Sequence, residues 1–380
     1  MSKLAFLSAG AAQGLVAAHA KTVGVDVGGT FGPVGGIRDR FLAGEPCDVL
    51  ILTHTQICEL IATGKVPRDA CSDLGLVRTS VVVHADADIP DVSTPAALRT
   101  AILAASAIHF PDPVKATAGA HVVKVLESLG VRRDVESRLR MHPGGMPSMV
   151  ALAADRVDAI GITQATEILA SRGVRLAGHL PRPHHLATVY TAVVGPHPLA
   201  RAEAERFVAS ITAQAEAGRR LTAGFEGPSI RRATRADEAA IRELVFTILD
   251  EYAIKPEPKG TDADLFDLEA NYFARGGTFD VAVDTAGNIV GTCGSYPMDG
   301  NACELRKMYV RSDQRGRGLG KRLLERALAF ARARGCARVV LETASVLKEA
   351  TLMYEKAGFI RQAYPPHVRR CDRVYAYQLA

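Results

Sequence analysis

The chain has 380 residues, 48% hydrophobic and 23% charged, a balance that excludes intrinsic disorder, collagen-like repeats and coiled coil. At roughly 100–200 residues per domain, that length accommodates two or three separate cores. Tryptophan is absent, aromatics make up 6% and the net charge is +5, which argues against a stacking platform for single strands and against a duplex partner.

The first residues allow two readings. Met1-Ser2-Lys3 precede an apolar stretch, 4–18, and Ala18-His19-Ala20 has the form of a signal-peptidase site. The alternative is a buried strand at 4–7 followed by an Ala-rich helix from Ala11, and it is favoured because Ser8, Gly10, Gln13 and Gly14 interrupt the apolar run. No other segment reaches the ~18 apolar residues of a membrane helix. Further strands are predicted at 49–52, 81–84, 108–110, 159–163, 174–176 and 189–194. Helices alternate with them at 35–43, 55–63, 94–106, 117–129, 147–154, 166–171 and 199–214. Such alternation predicts βαβ units in mostly parallel sheets. Thr94-Pro95 is a helix start, with the threonine as cap and proline at the first helical position.

Gly224-Phe-Glu-Gly227-Pro228 closes this part, so 1–227 and 229–380 are expected to be separate domains. The second begins with a strand at Ser229 and a helix at 238–249 capped by Thr234 or Asp237. A helix at 265–273 follows, then strands at 280–283, 289–296 and 302–310, with a hairpin turn at Thr285-Ala-Gly-Asn288. A long helix at 319–331, a strand at 338–343, a helix at 348–356 and a strand at 373–379 complete it. Residues 229–380 carry 24 Lys and Arg against 20 Asp and Glu, which places +4 of the net charge there and suits a phosphorylated small molecule. The seven cysteines are odd in number and form no CxxC, so neither a disulfide framework nor a zinc site is expected, and a reducing compartment is.

Gln314–Gly320 carries chemistry. It follows a strand and opens a helix, so backbone N–H groups at the helix start point outward without partners. An anion there gains those bonds and the helix dipole, and Arg315 and Arg317 add charge. The stretch Arg315-Gly316-Arg317-Gly318-Leu319-Gly320 resembles the acetyl-CoA-binding segment of the GNAT superfamily of N-acetyltransferases. Glu304-Leu-Arg-Lys-Met-Tyr-Val310 looks like that family's fourth strand, and Leu352-Met-Tyr-Glu-Lys-Ala-Gly-Phe359 like its final helix and turn. Leu347 stands where many members have asparagine, one side-chain contact fewer to the cofactor. The resemblance implies an α+β domain with a mixed central sheet whose fourth and fifth strands splay apart. It implies that acetyl-CoA lies in the gap on the main chain of Met308, Tyr309 and Val310, with its pyrophosphate on Arg315, Gly316, Arg317, Gly318, Leu319 and Gly320. Tyr354 would protonate the departing thiolate. Glu304 is the expected base for the amine, with Glu342 as runner-up.

The first part shows no nucleophile elbow and no ligand-spaced histidines. Leu7-Ser8-Ala9-Gly10-Ala11, Gly44-Glu-Pro-Cys-Asp-Val49 and Asp158-Ala-Ile-Gly-Ile-Thr163 resemble type II periplasmic substrate-binding proteins of the molybdate-binding kind. That implies two α/β lobes closing over a small ligand held by Ser8, Thr117 and Thr163. Val34 stands where molybdate binders usually carry serine, so a small organic acid is as suitable as an oxyanion.

The expectation for the whole is an α/β protein with two domains: an acetyl-CoA-dependent N-acetyltransferase fused to a small-ligand-binding sensor domain. The alternative is a regulatory protein that binds acetyl-CoA and a small anion without turnover. Its expected partners are a small-molecule or peptide amine and a small anion, and a homodimer is compatible with it. No nucleic acid, membrane or metal is expected, and the expected location is the cytoplasm.

Overall fold

The structure, a computed structural model, describes residues 3–379. It divides into two compact units, one formed by residues up to Gln56 with Asp73–Gly227, the other by Ile57–Ser72 with the chain from Pro228 onward.

The first unit runs β1 (Leu4–Ala9), α1 (Gln13–Val23), β2 (Val27–Gly32), α2 (Val34–Leu42) and β3 (Val49–Thr53), after which α3 (His54–Ala62) leads into the segment that belongs to the second. The first unit continues through β4 (Cys71–His84), α4 (Pro95–Ala104), β5 (Ile108–Pro111), α5 (Thr117–Ser128), β6 (Leu139–His142), α6 (Gly145–Ala153) and β7 (Ile160–Gln164). It ends with α7 (Ala165–Leu169), β8 (Val174–His179), β9 (Ala187–Val194), α8 (Arg201–Thr212) and α9 (Ala217–Thr222). Strand order is β2-β1-β3-β9-β4-β7-β5-β6, with β8 also on β4. β1 lies parallel between β2 and β3, and β5 parallel between β6 and β7, so each half carries its own parallel core and the two halves form the expected lobes. The apolar run of β1 is buried, which fits a central strand with neighbours on both sides. Two strands, β2 and β6, were not expected, and β4 is far longer than the 81–84 segment predicted. Thr94 caps α4, its hydroxyl accepting the Ala97 N–H at 3.1 Å.

The second unit adds β10 (Ser229–Arg232), α10 (Glu238–Glu251), β11 (Thr278–Val283), β12 (Ile289–Met298), β13 (Ala302–Val310) and α11 (Leu319–Ala333). β14 (Arg338–Thr343), α12 (Lys348–Lys356), β15 (Ile360–Arg361) and β16 (Arg373–Gln378) follow. The seven strands order as β10-β11-β12-β13-β14-β16-β15, antiparallel except for β13 with β14, which makes the sheet mixed. Thr234 and Asp237 form a reciprocal capping box ahead of α10. In place of the helix expected at 265–273 there are two short turns, Ala263–Phe266 and Glu269–Phe273, because Asp267 breaks the run with an extended backbone.

Alternation along β11 splits the core of this unit. Phe279, Val281 and Val283 face α10 through Ile241, Val245 and Ile248, whereas Ala282 joins the layer under α11 with Leu319, Leu323 and Ala327. Asp280 lies between Phe279 and Val281, is 1% exposed, and receives both Nε and Nη2 of Arg326 at 3.1 Å. It also binds the guanidinium of Arg68, which comes from Ile57–Ser72 and stacks over the Phe330 ring at 5.3 Å. Arg68 further binds the Thr278 hydroxyl, and its neighbour Asp69 pairs with Arg232 at 2.9 Å. One buried carboxylate thus serves two buried cations, so its loss leaves buried positive charge poorly compensated. Asp280→Asn should therefore destabilise the protein by about 3–5 kcal/mol in urea unfolding, because it removes the carboxylate that both guanidinium groups share. Arg68→Met should cost less, since Arg326 still neutralises Asp280; a larger loss for Arg68→Met than for Asp280→Asn would contradict this account.

Candidate functional sites

In the second unit the site starts from an interrupted ladder. β13 pairs with β14 only at Ala302–Arg338, Cys303–Val339 and Glu304–Val340. From Leu305 onward β13 keeps its bonds to β12 but has no partner in β14, and a pocket fills the gap. Its walls include Met308 and Tyr309 on β13, Leu341 to Thr343 on β14, Leu347 at the start of α12, and Tyr354 within it. A bulge accompanies the separation. The register on β12 slips between Thr292 and Gly294, and Lys307 takes a left-handed φ of 51°. The Lys307 carbonyl accepts from the Thr292 hydroxyl at 2.7 Å, and its ammonium donates to Asp262 and to the Thr261 carbonyl, each at 2.6 Å. Asp262 also takes a bidentate fork from Arg370 at 2.6 and 2.7 Å. Burial works to raise that carboxyl, but the bonds from Arg370 and Lys307 outweigh it and hold it down to about 2. The strained backbone of the bulge is thus tied on both sides.

Beyond Val310 the chain turns into α11 through Gly316 and Gly318, with φ of 72° and 82°. A Cβ at either would meet nothing within 4 Å, so the glycines serve conformation and the space in front of the helix is open. Gly318 is the N-cap and has no side-chain cap, which leaves first-turn N–H groups directed outward at the head of a 15-residue helix. Arg315 is tied down differently from a free phosphate ligand. Its guanidinium donates to the Val310 carbonyl at 2.8 Å, the Tyr252 hydroxyl at 3.1 Å and Glu251 at 2.6 Å. It therefore holds the turn to the end of α10, while Arg317 stays exposed. Leu319 is 3% exposed and belongs to the core.

The two groups expected to carry chemistry lie on this pocket. Tyr354 is 4% exposed, and burial, with Cys293 and Tyr309 nearby, raises its phenol well above the ordinary value, so it stays protonated. Glu304 stands where the ladder ends. It accepts the Tyr296 hydroxyl at 2.7 Å and lies 3.7 Å from the Arg306 guanidinium. Glu342 is more heavily engaged, accepting the backbone N–H groups of His367 and Val368 at 2.8 Å each and the His367 ring at 2.9 Å. Burial acts to raise its carboxyl, and those bonds lower it overall.

The first unit has a second cleft. Four helices begin on it: α1 through its leading turn at Gly10, α2 at Val34, α5 at Thr117 and α6 at Gly145. None of the four has a side-chain cap. Phe31, Pro33, Val34, Met146, Pro147 and Val150 make the rest of the wall largely apolar, and no lysine or arginine lines it among the described residues. Of the three expected ligand residues, Thr117 lines this cleft. Ser8 is fully buried in β1 and donates to the Ala9 carbonyl at 3.1 Å, while Thr163 is fully buried behind the wall. Thr163 instead donates to Glu167 at 2.5 Å. Sequence reasoning missed Glu167, Gln164 and Tyr190, all of which line the cleft. The available signal was Thr163 and Glu167 spaced i, i+4 across the start of α7.

Burial raises the Glu167 carboxyl from an ordinary 4.5 to about 7, against the Thr163 hydroxyl and the Gln164 N–H, which lower it. Between those two values the folded protein holds a proton that the unfolded chain releases, so stability falls as pH rises from about 4.5 through about 7 and then levels. The full effect is about 3 kcal/mol. Comparing urea midpoints at pH 5 and pH 8, the wild type should lose more stability than Glu167→Gln; equal losses would mean that Glu167 titrates normally.

Comparison with known proteins accounts for both units. The acetyltransferase (GNAT) family model matches residues 242–359, and the bacterial extracellular solute-binding protein model matches residues 8–226. The uncharacterized N-acetyltransferase YjgM of Escherichia coli (strain K12) is 37% identical over 139 residues, covering 35% of this chain and 83% of its own length. An aconitate isomerase of a Pseudomonas species is 24% identical over 223 residues, covering 55% of this chain and 83% of that protein. Among solved structures, the periplasmic molybdate-binding protein of Azotobacter vinelandii aligns with a TM-score of 0.49 and 19% identity, over 58% of this chain and 98% of that one. The chain is therefore an acyltransferase of the GNAT family in its C-terminal part and, over residues 8–226, a member of the bacterial extracellular solute-binding protein family.

Proposed function

We propose that the second unit transfers an acetyl group from acetyl-CoA to a primary amine, and that the first unit binds a small organic carboxylate as a sensor for that activity. The transferase reading is carried by one observation: Tyr354 and Glu304 lie on the same gap where β13 loses its partner, beside a helix start opened by two left-handed glycines. These residues fit the cofactor. The main chain of Met308–Val310 would hold the pantetheine arm and the turn at Gly316–Gly320 the pyrophosphate, with Arg317 adding charge and Arg315 bracing the turn. When bound, acetyl-CoA supplies the activated acetyl group and a thiolate leaving group. Tyr354, kept protonated by burial, donates its phenolic proton toward the departing sulfur. Glu304, oriented by Tyr296 and Arg306, accepts the proton that the amine loses.

Thiol release with a panel of primary amines tests this directly. Tyr354→Phe should lower kcat by roughly 10²–10³-fold with little change in acetyl-CoA affinity, and Glu304→Gln by about 10²-fold. Gly318→Glu should abolish acetyl-CoA binding in calorimetry, since it adds a negative charge and a disfavoured φ, whereas Gly318→Asn tolerates that φ and should bind. Full activity in Tyr354→Phe, or tight binding by Gly318→Glu, would overturn the assignment.

For the first unit the supporting observation is the cleft itself. Four uncapped helix starts supply positive potential, and an apolar wall suits a carbon skeleton more than a bare tetrahedral oxyanion. A relative named for aconitate points the same way. Thermal-shift measurements on the full chain with molybdate, sulfate, citrate, tricarballylate, glutaconate and trans-aconitate should single out carboxylates. At 100-fold excess over Kd the stabilisation is about 2.7 kcal/mol. Thr117→Asp, which keeps a good first-turn residue while placing negative charge at the cleft, should remove the shift. A response to molybdate or sulfate alone would refute the carboxylate.

A further inference from the structure

The four helix starts explain why an anion enters the N-terminal cleft, but they do not explain a carboxyl group at its floor. Glu167 is 7% exposed and lines the cleft, and among the described residues no cation pairs with it. Room for it is made by glycines. A Cβ at Gly145 would come within 1.7 Å of one Glu167 oxygen, and a Cβ at Gly10 within 3.1 Å of the other. The carboxyl therefore sits between the starts of α1 and α6, and Thr163 fixes one oxygen from behind at 2.5 Å. Beside it Gln164 is 3% exposed with an amide oxygen that has no partner, and Tyr190, also 3% exposed, lines the same wall. A carboxylate that served only to fill space would repel the anion that the cleft attracts. A carboxyl that exchanges a proton with the bound molecule has a use there.

We propose that the N-terminal cleft is a second catalytic centre, in which Glu167 shuttles a proton between two carbons of an olefinic di- or tricarboxylate. The proposal rests on the carboxylate reading given above. In the step, the Glu167 carboxylate takes a proton from the carbon next to the double bond. That C–H pair becomes the new double bond, and the old double-bond pair moves onto the conjugated carboxylate. The same Glu167, now neutral and facing the cleft, exchanges its acid proton with solvent and delivers one to the far carbon, restoring the carboxylate. One C–H bond breaks and one forms, the double bond moves by one position, and nothing is oxidised or reduced. The charge that gathers on the conjugated carboxylate falls where helix N–H groups are already aimed, so stabilising it needs no reorganisation. Tyr190 and Gln164 are placed to orient the substrate.

Deuterium exchange separates this activity from binding. Full-length protein is incubated in D2O with each olefinic carboxylate that shifts its melting, glutaconate and trans-aconitate being the probes, and the allylic C–H signals are followed by proton NMR. With glutaconate the shift regenerates the same molecule, so label enters both methylene and vinyl positions without a change of compound. Wild type should exchange in proportion to protein concentration. Glu167→Gln should lose at least roughly 10²-fold of that rate while keeping the melting shift. Glu167→Asp, which withdraws the carboxyl by one methylene, should also bind and lose most of the rate. A probe that shifts melting but exchanges no faster than the protein-free control, or an equal rate in Glu167→Gln, overturns the proton shuttle and leaves the binding cleft standing. If neither olefinic probe shifts melting, the proton shuttle falls; if no carboxylate of the thermal-shift panel shifts it, the carboxylate reading of the cleft falls as well.

Discussion

A folded chain has to account for every backbone N–H and C=O it removes from water, and strands and helices do most of that accounting. In this protein the two candidate sites lie where the account is left open. β13 has one neighbour as far as Val310 and two only as far as Glu304, and the next helix begins at an uncapped glycine. Four further helices begin uncapped on one cleft, although α4 shows that the sequence can supply a cap where none of this is needed. Main-chain groups in such positions are rigid and cannot be titrated away. In the proposed reading they set each site's preference for an anion, and the side chains add what main chain cannot do, which is to move protons.

The two carboxyls to which proton transfer is ascribed occupy different surroundings. Glu304 lies at the rim of a gap, accepting the Tyr296 hydroxyl at 2.7 Å with the Arg306 guanidinium 3.7 Å away. Glu167 lies at the floor of a cleft, where burial favours its neutral form and only a hydroxyl and a backbone N–H oppose it. The same side chain thus meets polar, charged company in one unit and burial in the other.

Much of the acetyltransferase unit can be read from the sequence because its chemistry is local. Gly316 and Gly318 follow a strand and precede a helix within a few residues, and Tyr354 sits in a short, recognisable helix. The cleft of the first unit is harder to read. Its wall gathers residues from Gly10 to Tyr190, and no spacing rule reports that Gly145 is a glycine because a carboxyl from α7 occupies its side-chain space. β2, Val-Gly-Gly-Thr-Phe-Gly, has no alternation to betray a strand and is defined by its pairing with β1. The helix expected at 265–273 fails for the opposite reason: its apolar spacing is present, but Asp267 and the tie between Asp264 and the Tyr272 hydroxyl at 2.7 Å favour separate turns.

Arg68 shows what long-range pairing asks of synthesis. Its partners Thr278 and Asp280 lie 210 and 212 residues further along the chain. At 5–20 residues per second, a ribosome needs roughly 10 to 40 s to deliver them after Arg68 has left the tunnel. Throughout that interval the segment from Ile57 to Ser72 has to stay accessible while the chain on both sides of it folds around another core. The segment from Ile57 to Ser72 can therefore complete its packing only once the last third of the chain has been made.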